Sequence, residues 1–189
     1  SKDGYLRVGI PGSCTALIGA MTLASPEMVR LLLENGADIY ATDIDKNNPL
    51  MCACTFNRVD NVKFWLKEFP DWNLEARNSV VGGVALGIAI FMGPNRLELT
   101  ETLIKNGAKL DCKTDTGSTV LLAACKNPDA DPDVVRMLLR NIPKHEINYR
   151  CRAKSIKWKV IRHISKLSNR VMSNSGRLFE LLAQEAGAT

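Results

Sequence analysis

Two histidines are the side chains best suited to general acid–base chemistry in this chain of 189 residues. His145 and His163 both lie in the last quarter of the sequence, and neither has a nucleophile and an orienting group at a recognisable spacing. His145 follows a proline and a lysine and is predicted to lie in a loop, whereas His163 is predicted on the flank of a basic helix. The sequence therefore predicts no catalytic residue, and we expect that the chain is not an enzyme.

Cysteine is the other residue type here that could act as a nucleophile or a metal ligand. Cys52 and Cys54 stand two positions apart, which directs them to different sides of a helix, whereas zinc sites use C-x2-C or C-x4-C with further paired ligands. We interpret both as small core residues. The cysteines do not follow the spacing of a secreted disulfide framework, so we expect reduced thiols and an intracellular, cytoplasmic location. The six are Cys14, Cys52, Cys54, Cys112, Cys125 and Cys151.

Two further patterns suggest ligand sites but do not complete them. Gly82 and Gly83 precede an apolar segment, yet neither G-x-x-x-x-G-K-S/T nor G-x-G-x-x-G is present, so we predict turn glycines. Asp129, Asp131 and Asp133 alternate like part of a calcium loop, but the downstream Gly and Glu are missing. We predict an acidic loop at the N-terminus of the following helix, where negative charge is favourable. No cofactor and no metal is predicted.

Composition is that of a folded globular chain, with 46% apolar and 24% charged residues. One uncharged run, 80–93, has 14 residues and four glycines, whereas a membrane-spanning helix needs roughly 20 apolar residues. We predict a buried core helix there. The opening residues lack a signal-peptide pattern and an initiator methionine, so we interpret the sequence as an excised fragment.

One phrase of sequence recurs, an apolar helical stripe that a glycine ends. It is clearest at 26–41, where Pro26 suits the first helical turn and Gly36 supplies the left-handed residue after the last turn. It returns at 99–112 and 181–188, and its apolar stripe returns at 134–141. A shorter apolar phrase starts at intervals of 33, 36 and 35 residues, at 15–20, 48–53, 84–89 and 119–124. The sequence therefore predicts repeated pairs of a short inner helix and a longer outer helix.

Small residues in the short phrases would let neighbouring inner helices approach closely, while bulkier outer helices splay apart. These residues are Ala20, Ala53, Ala89 and Ala124. The stack must then curve, and we call its inner-helix side the concave face. Leucines should fill the space between the two helices of each pair, and these are Leu17, Leu50, Leu86 and Leu121.

The series resembles the ankyrin repeat, whose signature T-P-L-H-x-A opens the inner helix of a unit of roughly 33 residues. The resemblance covers about residues 12–150 and implies an all-α ankyrin-repeat solenoid of stacked antiparallel helix pairs with projecting β-hairpin loops. We expect a single domain with an N-terminal edge at 1–12, repeats at 13–42, 43–77, 78–113 and 114–150, and a diverged basic repeat at 151–189. Because the signature histidine is absent, we expect stability to rest on packing; its positions hold Ile18, Met51, Gly87 and Leu122.

Residues that favour tight turns fill 42–47, 77–83 and 113–118, which predicts projecting fingers with solvent-facing tips. By resemblance to ankyrin arrays, these tips and the exposed side of the inner helices form the partner surface. Apolar residues there indicate an anchor cluster. The alternative is that Phe56 and Phe91 tuck between helices. The predicted partner-binding residues are Ile44, Asp45, Asn47, Thr55, Phe56, Val80, Val81, Phe91, Met92, Asp115, Ser118 and Lys126.

Positive charge is concentrated at 150–177, which holds nine Lys or Arg and no Asp or Glu, so the net charge of +5 is a local property. An amphipathic helix there is either a fifth, diverged repeat with its charges in water or a weak site for an acidic protein or an anionic membrane surface. Without interleaved exposed aromatics or a nucleic-acid motif, no specific nucleic-acid binding is expected. The basic patch comprises Lys157, Lys159, Arg162, Lys166 and Arg170.

Taken together, these patterns predict a non-enzymatic, monomeric module that binds a partner protein or peptide through its concave face and finger tips. The alternatives are a regulatory or targeting array of a larger enzyme or channel, or attachment to an anionic surface through the basic helix.

Overall fold

The structure, a computed structural model, describes residues 14–149. This part of the chain is helical, and its only β pairing is an isolated bridge between Lys113 and Thr119. The helices are α1 (Ala16–Leu23), α2 (Pro26–Glu34), α3 (Pro49–Thr55), α4 (Val59–Glu68), α5 (Ala85–Phe91), α6 (Leu97–Lys105), α7 (Val120–Lys126), α8 (Pro132–Asn141) and α9 (Lys144–Ile147).

The first eight helices form four pairs that stack in chain order. Each inner helix (α1, α3, α5, α7) packs on the outer helix that follows it, and successive inner helices pack on one another. Outer helices also touch their neighbours, but the inner helices approach one another more closely, which curves the stack toward the inner side. The four small residues predicted to allow this approach, Ala20, Ala53, Ala89 and Ala124, are all buried.

Local sequence sets the ends of these helices. Thr15, Asn48 and Thr119 precede inner helices, and each side-chain oxygen accepts a hydrogen bond from a backbone N–H in the first turn. Gly36 and Gly107 follow α2 and α6 with φ of +82° and +93°, the left-handed conformation that ends a helix without a Cβ penalty. The predicted glycine stops are therefore confirmed at both positions.

The core runs as one continuous cluster along the stack. Leu17, Leu50 and Leu86 are buried between the two helices of their pairs, and each such burial contributes about 2 kcal/mol of apolar transfer free energy. Leu121 is half-buried against the same core. Each pair completes the burial of its neighbour, so the pairs depend on one another for stability.

Polar side chains also join successive pairs, which the sequence did not predict. Asn61 of α4 donates through Nδ2 to the carbonyl oxygens of Ala20, Met21 and Ala24, at 3.0–3.3 Å, at the end of α1. Asn127 makes the same kind of contact one pair apart, to Ile90 and Gly93 after α5. These amides satisfy carbonyls that a helix C-terminus leaves unpaired.

Arg96 caps the remaining inner junction. Its Nη1 donates to the carbonyl oxygen of Cys54 at 2.7 Å and its Nη2 to that of Thr55 at 3.2 Å, at the end of α3. The expectation that packing alone replaces the missing histidines is therefore incomplete, because each pair also caps the inner helix before it.

Near the C-terminal end of the described chain, one residue departs from its predicted place and another lies as predicted. His145 lies in the single turn of α9 and not in a loop, with its ring exposed to solvent. Asp131 caps α8, accepting a hydrogen bond from the backbone N–H of Asp133, as the acidic-loop prediction required. Within residues 14–149 no helix has the length and apolar character needed to cross a bilayer.

Candidate functional site

Three closed turns project between successive pairs at the concave side. We call them finger 1 (43–47), finger 2 (78–83) and finger 3 (114–118). A backbone N–H···O bond closes each finger, from Asp43 to Asn47 at 3.1 Å, from Asn78 to Gly83 at 3.0 Å, and from Thr114 to Ser118 at 3.0 Å. The fingers are thus hairpin-like turns with hardly any strand pairing behind them in the described chain.

The fingers are also bonded side by side. The backbone N–H of Ser79 donates to the carbonyl oxygen of Asp45 at 2.8 Å, which joins finger 2 to finger 1. The N–H of Asp115 donates to the carbonyl oxygen of Val81 at 2.9 Å, which joins finger 3 to finger 2. Because these bonds use backbone groups, the row of fingers is fixed without occupying the apolar side chain of Val81.

A buried carboxylate shapes finger 1. Asp43 is 5% exposed, and its Oδ1 accepts hydrogen bonds from the N–H groups of Asp45 and Asn47 at 2.9 and 2.8 Å. Its Oδ2 accepts a third from Asn47 Nδ2 at 2.9 Å. Asn78 of finger 2 then donates through its own Nδ2 to Asn47 Oδ1 at 3.1 Å. Asn47 was predicted to contact a partner, but its side chain mainly stabilises the row of fingers.

Apolar side chains stand at two of these tips. Ile44 is 68% exposed at the tip of finger 1, which is high for a large aliphatic residue. Val80 and Val81 in finger 2 are half-buried, and neither belongs to the hydrophobic core. The prediction that these tips carry apolar side chains toward solvent holds for Ile44 fully and for the two valines in part.

The ends of the inner helices supply a second apolar row beside the fingers. Phe56 follows α3 and Met92 follows α5, each three residues after the small buried alanine of its helix. Both are half-buried and lie outside the core, as does Phe91 at the end of α5. Their place outside the core cluster favours a contact role, while the alternative in which Phe56 and Phe91 tuck between helices stays a prediction.

Leu23 holds the position in α1 that Phe56 and Met92 hold after α3 and α5. The sequence analysis did not identify it as a candidate contact residue. It is 54% exposed, three residues after Ala20. The signal that could have identified it is its register, since Leu23, Phe56 and Met92 are equivalent residues of their helices. We call these three residues the anchor row.

The remaining predicted contact residues are polar and lie around these two rows. Thr55 is half-buried and donates its hydroxyl to the carbonyl of Met51 at 3.0 Å, which leaves it a small role at the surface. Asp115 is exposed, 3.7 Å from the Arg77 guanidinium. Ser118 and Lys126 are half-buried, at the base of finger 3 and the end of α7. The basic patch at 157–170 lies outside the described residues and stays a prediction.

The described residues offer no assembled chemistry. Burial raises the pKa of the Cys54 thiol to about 12 and that of Cys52 further still, as expected for inert core cysteines. Residues 14–149 contain no group of three or more His, Cys, Asp or Glu side chains that could hold a metal ion. What the geometry offers is a partly apolar surface beside the fingers.

Comparison with known proteins agrees with the architecture. Residues 19–64, which run from α1 into α4, match the family model described as ankyrin repeats (many copies). This segment of the chain is similar to ankyrin repeats. Such repeats are generally protein–protein interaction modules, and the family is typically non-enzymatic.

A curated relative has the same kind of repeats. The chain is 29% identical over 126 residues to "Ankyrin repeat and SOCS box protein 3" of Bos taurus. The match covers 67% of this chain and 23% of that relative, so the chain spans about a quarter of the relative's length. These similarities agree with the fold, while the partner must be inferred from the surface.

Proposed function

We propose that the concave face binds a partner protein, or a short segment of one, through the finger tips and the anchor row. The observation that carries this proposal is the set of large apolar side chains outside the core on one side of the stack. Ile44 is the most exposed of them, and Phe56 and Met92 are half-buried at the inner-helix ends. Apolar clusters of this kind, rimmed by polar groups, are typical of protein-binding surfaces.

The rigidity of the finger row supports the same function. Lateral bonds through Asp45, Ser79 and Val81 hold the tips before any partner arrives. A preformed surface loses less conformational entropy on binding, so more of the contact free energy appears as affinity. The row is therefore suited to recognition by rigid contact.

A pull-down with single alanine variants tests the proposal. The 189-residue chain is immobilised as wild type, Ile44→Ala, Phe56→Ala and Val81→Ala, and retained proteins are quantified by mass spectrometry. Truncating an interface anchor costs about 1–2 kcal/mol, which is roughly fivefold to thirtyfold in affinity. Circular dichroism of each variant checks that the helical fold is intact.

Leu31→Ala is the matched control for Ile44→Ala. Leu31 is an aliphatic residue of the same size and is 52% exposed, but it lies on the outer helix α2. The proposal requires that this variant retains the partner as wild type does. Unchanged retention by all three concave-face variants, with folds intact, would remove the proposal.

The alternative function, a regulatory or targeting array, is supported by the similarity to a longer protein. Because the chain spans 23% of its curated relative, the array could act inside a larger enzyme or channel as a regulatory or targeting part. In that case the retained partner would be another region of the same protein. A monomeric state and an intracellular location remain part of the proposal on the strength of the sequence.

A further inference from the structure

We infer that the concave face takes an extended segment with an apolar side chain at every third residue and an Asp or Glu three residues beyond one end of that series. This inference rests on the proposed function and specifies the chemistry of its partner. It starts from the anchor row, where Leu23, Phe56 and Met92 hold equivalent positions in three successive inner helices.

The spacing of the row sets the spacing in the partner. Packed neighbouring helices lie about 8–10 Å apart, so equivalent residues of successive inner helices repeat at about that distance. A polyproline II segment rises about 3.1 Å per residue with three residues per turn, so every third side chain returns to the same face after about 9 Å. A β-strand would turn every third side chain to the opposite face.

The fingers favour the same backbone conformation. A partner strand needs an unpaired sheet edge, and residues 14–149 contain only the isolated bridge between Lys113 and Thr119. A partner strand would need free backbone N–H groups such as those of Ser79 and Asp115. Both groups already donate hydrogen bonds to neighbouring fingers. A polyproline II segment keeps its backbone solvated and requires no such edge.

The fourth inner helix changes the chemistry of the row. The position equivalent to Met92 is Asn127, whose amide is buried and donates back to Ile90 and Gly93. The residue before it, Lys126, is half-buried and has no ion-pair partner within residues 14–149. A carboxylate in the partner, one step beyond the third apolar residue, would complement this ammonium group.

Selection from a phage-displayed library of random peptides tests both parts of the inference. The full chain and its Lys126→Glu variant are each used as bait, and selected peptides are resynthesised and titrated against both. We expect apolar residues three apart in peptides selected by wild type, with Asp or Glu three residues beyond one end of the series. We expect those peptides to bind Lys126→Glu about fivefold to tenfold more weakly, and that variant to select Lys or Arg at the same place.

Several outcomes overturn the inference. Apolar residues seven apart would indicate a bound helix, and residues two apart a bound strand. A charge preference that Lys126→Glu does not change would remove the role of Lys126. Failure to select any peptide, while the pull-down partner is still lost in Phe56→Ala, would reject an extended segment and leave the proposed function standing. Failure of both experiments would reject the two together.

Discussion

The guanidinium of Arg96 caps the last turn of α3 by donating from Nη1 to the carbonyl oxygen of Cys54 at 2.7 Å. Arg96 belongs to the next helix pair, is only 7% exposed, and has no carboxylate within ion-pair distance in the described residues. Burial lowers the pKa of its guanidinium to about 10, so the group remains charged at pH 7. A buried positive charge at a helix C-terminus interacts favourably with the helix dipole. Here this interaction joins two successive helix pairs.

Arg96→Met should therefore destabilise the array. The substitution keeps most of the apolar stem but leaves the carbonyl groups of Cys54 and Thr55 without these donors, at a cost of about 2 kcal/mol. Urea denaturation followed by circular dichroism measures the change. Arg140→Met on the exposed side of α8 is the control and should stay within about 0.5 kcal/mol of wild type. An equal effect of both substitutions would show that the cap contributes nothing.

Two glycines should respond to alanine in opposite directions. Gly82 in finger 2 has φ of +63°, and a methyl group there would collide with the carboxyl group of Asp115, so Gly82→Ala should cost at least about 1–2 kcal/mol. Gly87 lies within α5 with no atom near an added methyl, so Gly87→Ala should add about 0.5–1 kcal/mol of stability. Thermal unfolding measures both.

Two results would contradict the predictions for the glycine variants. If Gly87→Ala lowered the melting temperature as much as Gly82→Ala, α5 would not be an open-sided helix at that residue. If Gly82→Ala were neutral, finger 2 would not pack on finger 3 as described.

The N-cap of α7 gives a further test of local structure. Thr119 Oγ1 accepts a hydrogen bond from the N–H of Leu122 at 3.2 Å, and Thr119→Val keeps the shape while removing that acceptor. The expected loss is about 1 kcal/mol in the free energy of unfolding. Thr42→Val is the matched control, because Thr42 is exposed and caps no helix. A loss no larger than that of the control would count against the cap.

Much of this fold follows from the sequence because its signals are local. A threonine or asparagine before an apolar run caps a helix, and a glycine such as Gly36 or Gly107 ends one, so the four helix pairs and their order could be predicted. The burial of Ala53 and Ala89 followed from their periodic spacing. The turn at Gly82 and the cap at Asp131 were also predictable, since each depends on residues within a few positions.

The features that sequence reasoning missed depend on contacts between repeats. Asn61, Arg96 and Asn127 act on carbonyl groups that lie more than thirty residues earlier in the chain, and no local pattern encodes such a pairing. Similarly, Tyr40 stacks on Trp72 with ring centroids 5.8 Å apart across two repeats. Leu23 was missed for another reason, since its helix had to be aligned with α3 and α5 before its exposure had meaning.

Alkylation of the cysteines tests the electrostatics of the described chain. Burial and the adjacent Glu75 carboxylate raise the pKa of the Cys112 thiol to about 12, and burial raises that of Cys54 to a similar value. At pH 8 only about one in ten thousand of these thiols is ionised, and the thiolate is the form that reacts. Iodoacetamide should therefore label the exposed Cys125 well before Cys112, as mass spectrometry of timed samples can show.

Glu75→Gln provides the check on that experiment. Removing the carboxylate charge, whose Oε2 lies 3.1 Å from Cys112 Sγ, should lower the pKa of the thiol and speed its labelling. The rate at Cys125 should not change. An unchanged rate at Cys112, or labelling of Cys112 as fast as Cys125 in the wild-type chain, would contradict the described environment.

Site-specific photocrosslinking tests the central claim about the concave face most directly. A benzophenone side chain is placed at Ile44 in one variant and at Leu31 in another, two similarly exposed aliphatic positions on opposite sides of the stack. We expect a covalent adduct with a partner protein from position 44 and none from position 31. An adduct that forms only from position 31, or equally from both, would contradict binding through the finger tips.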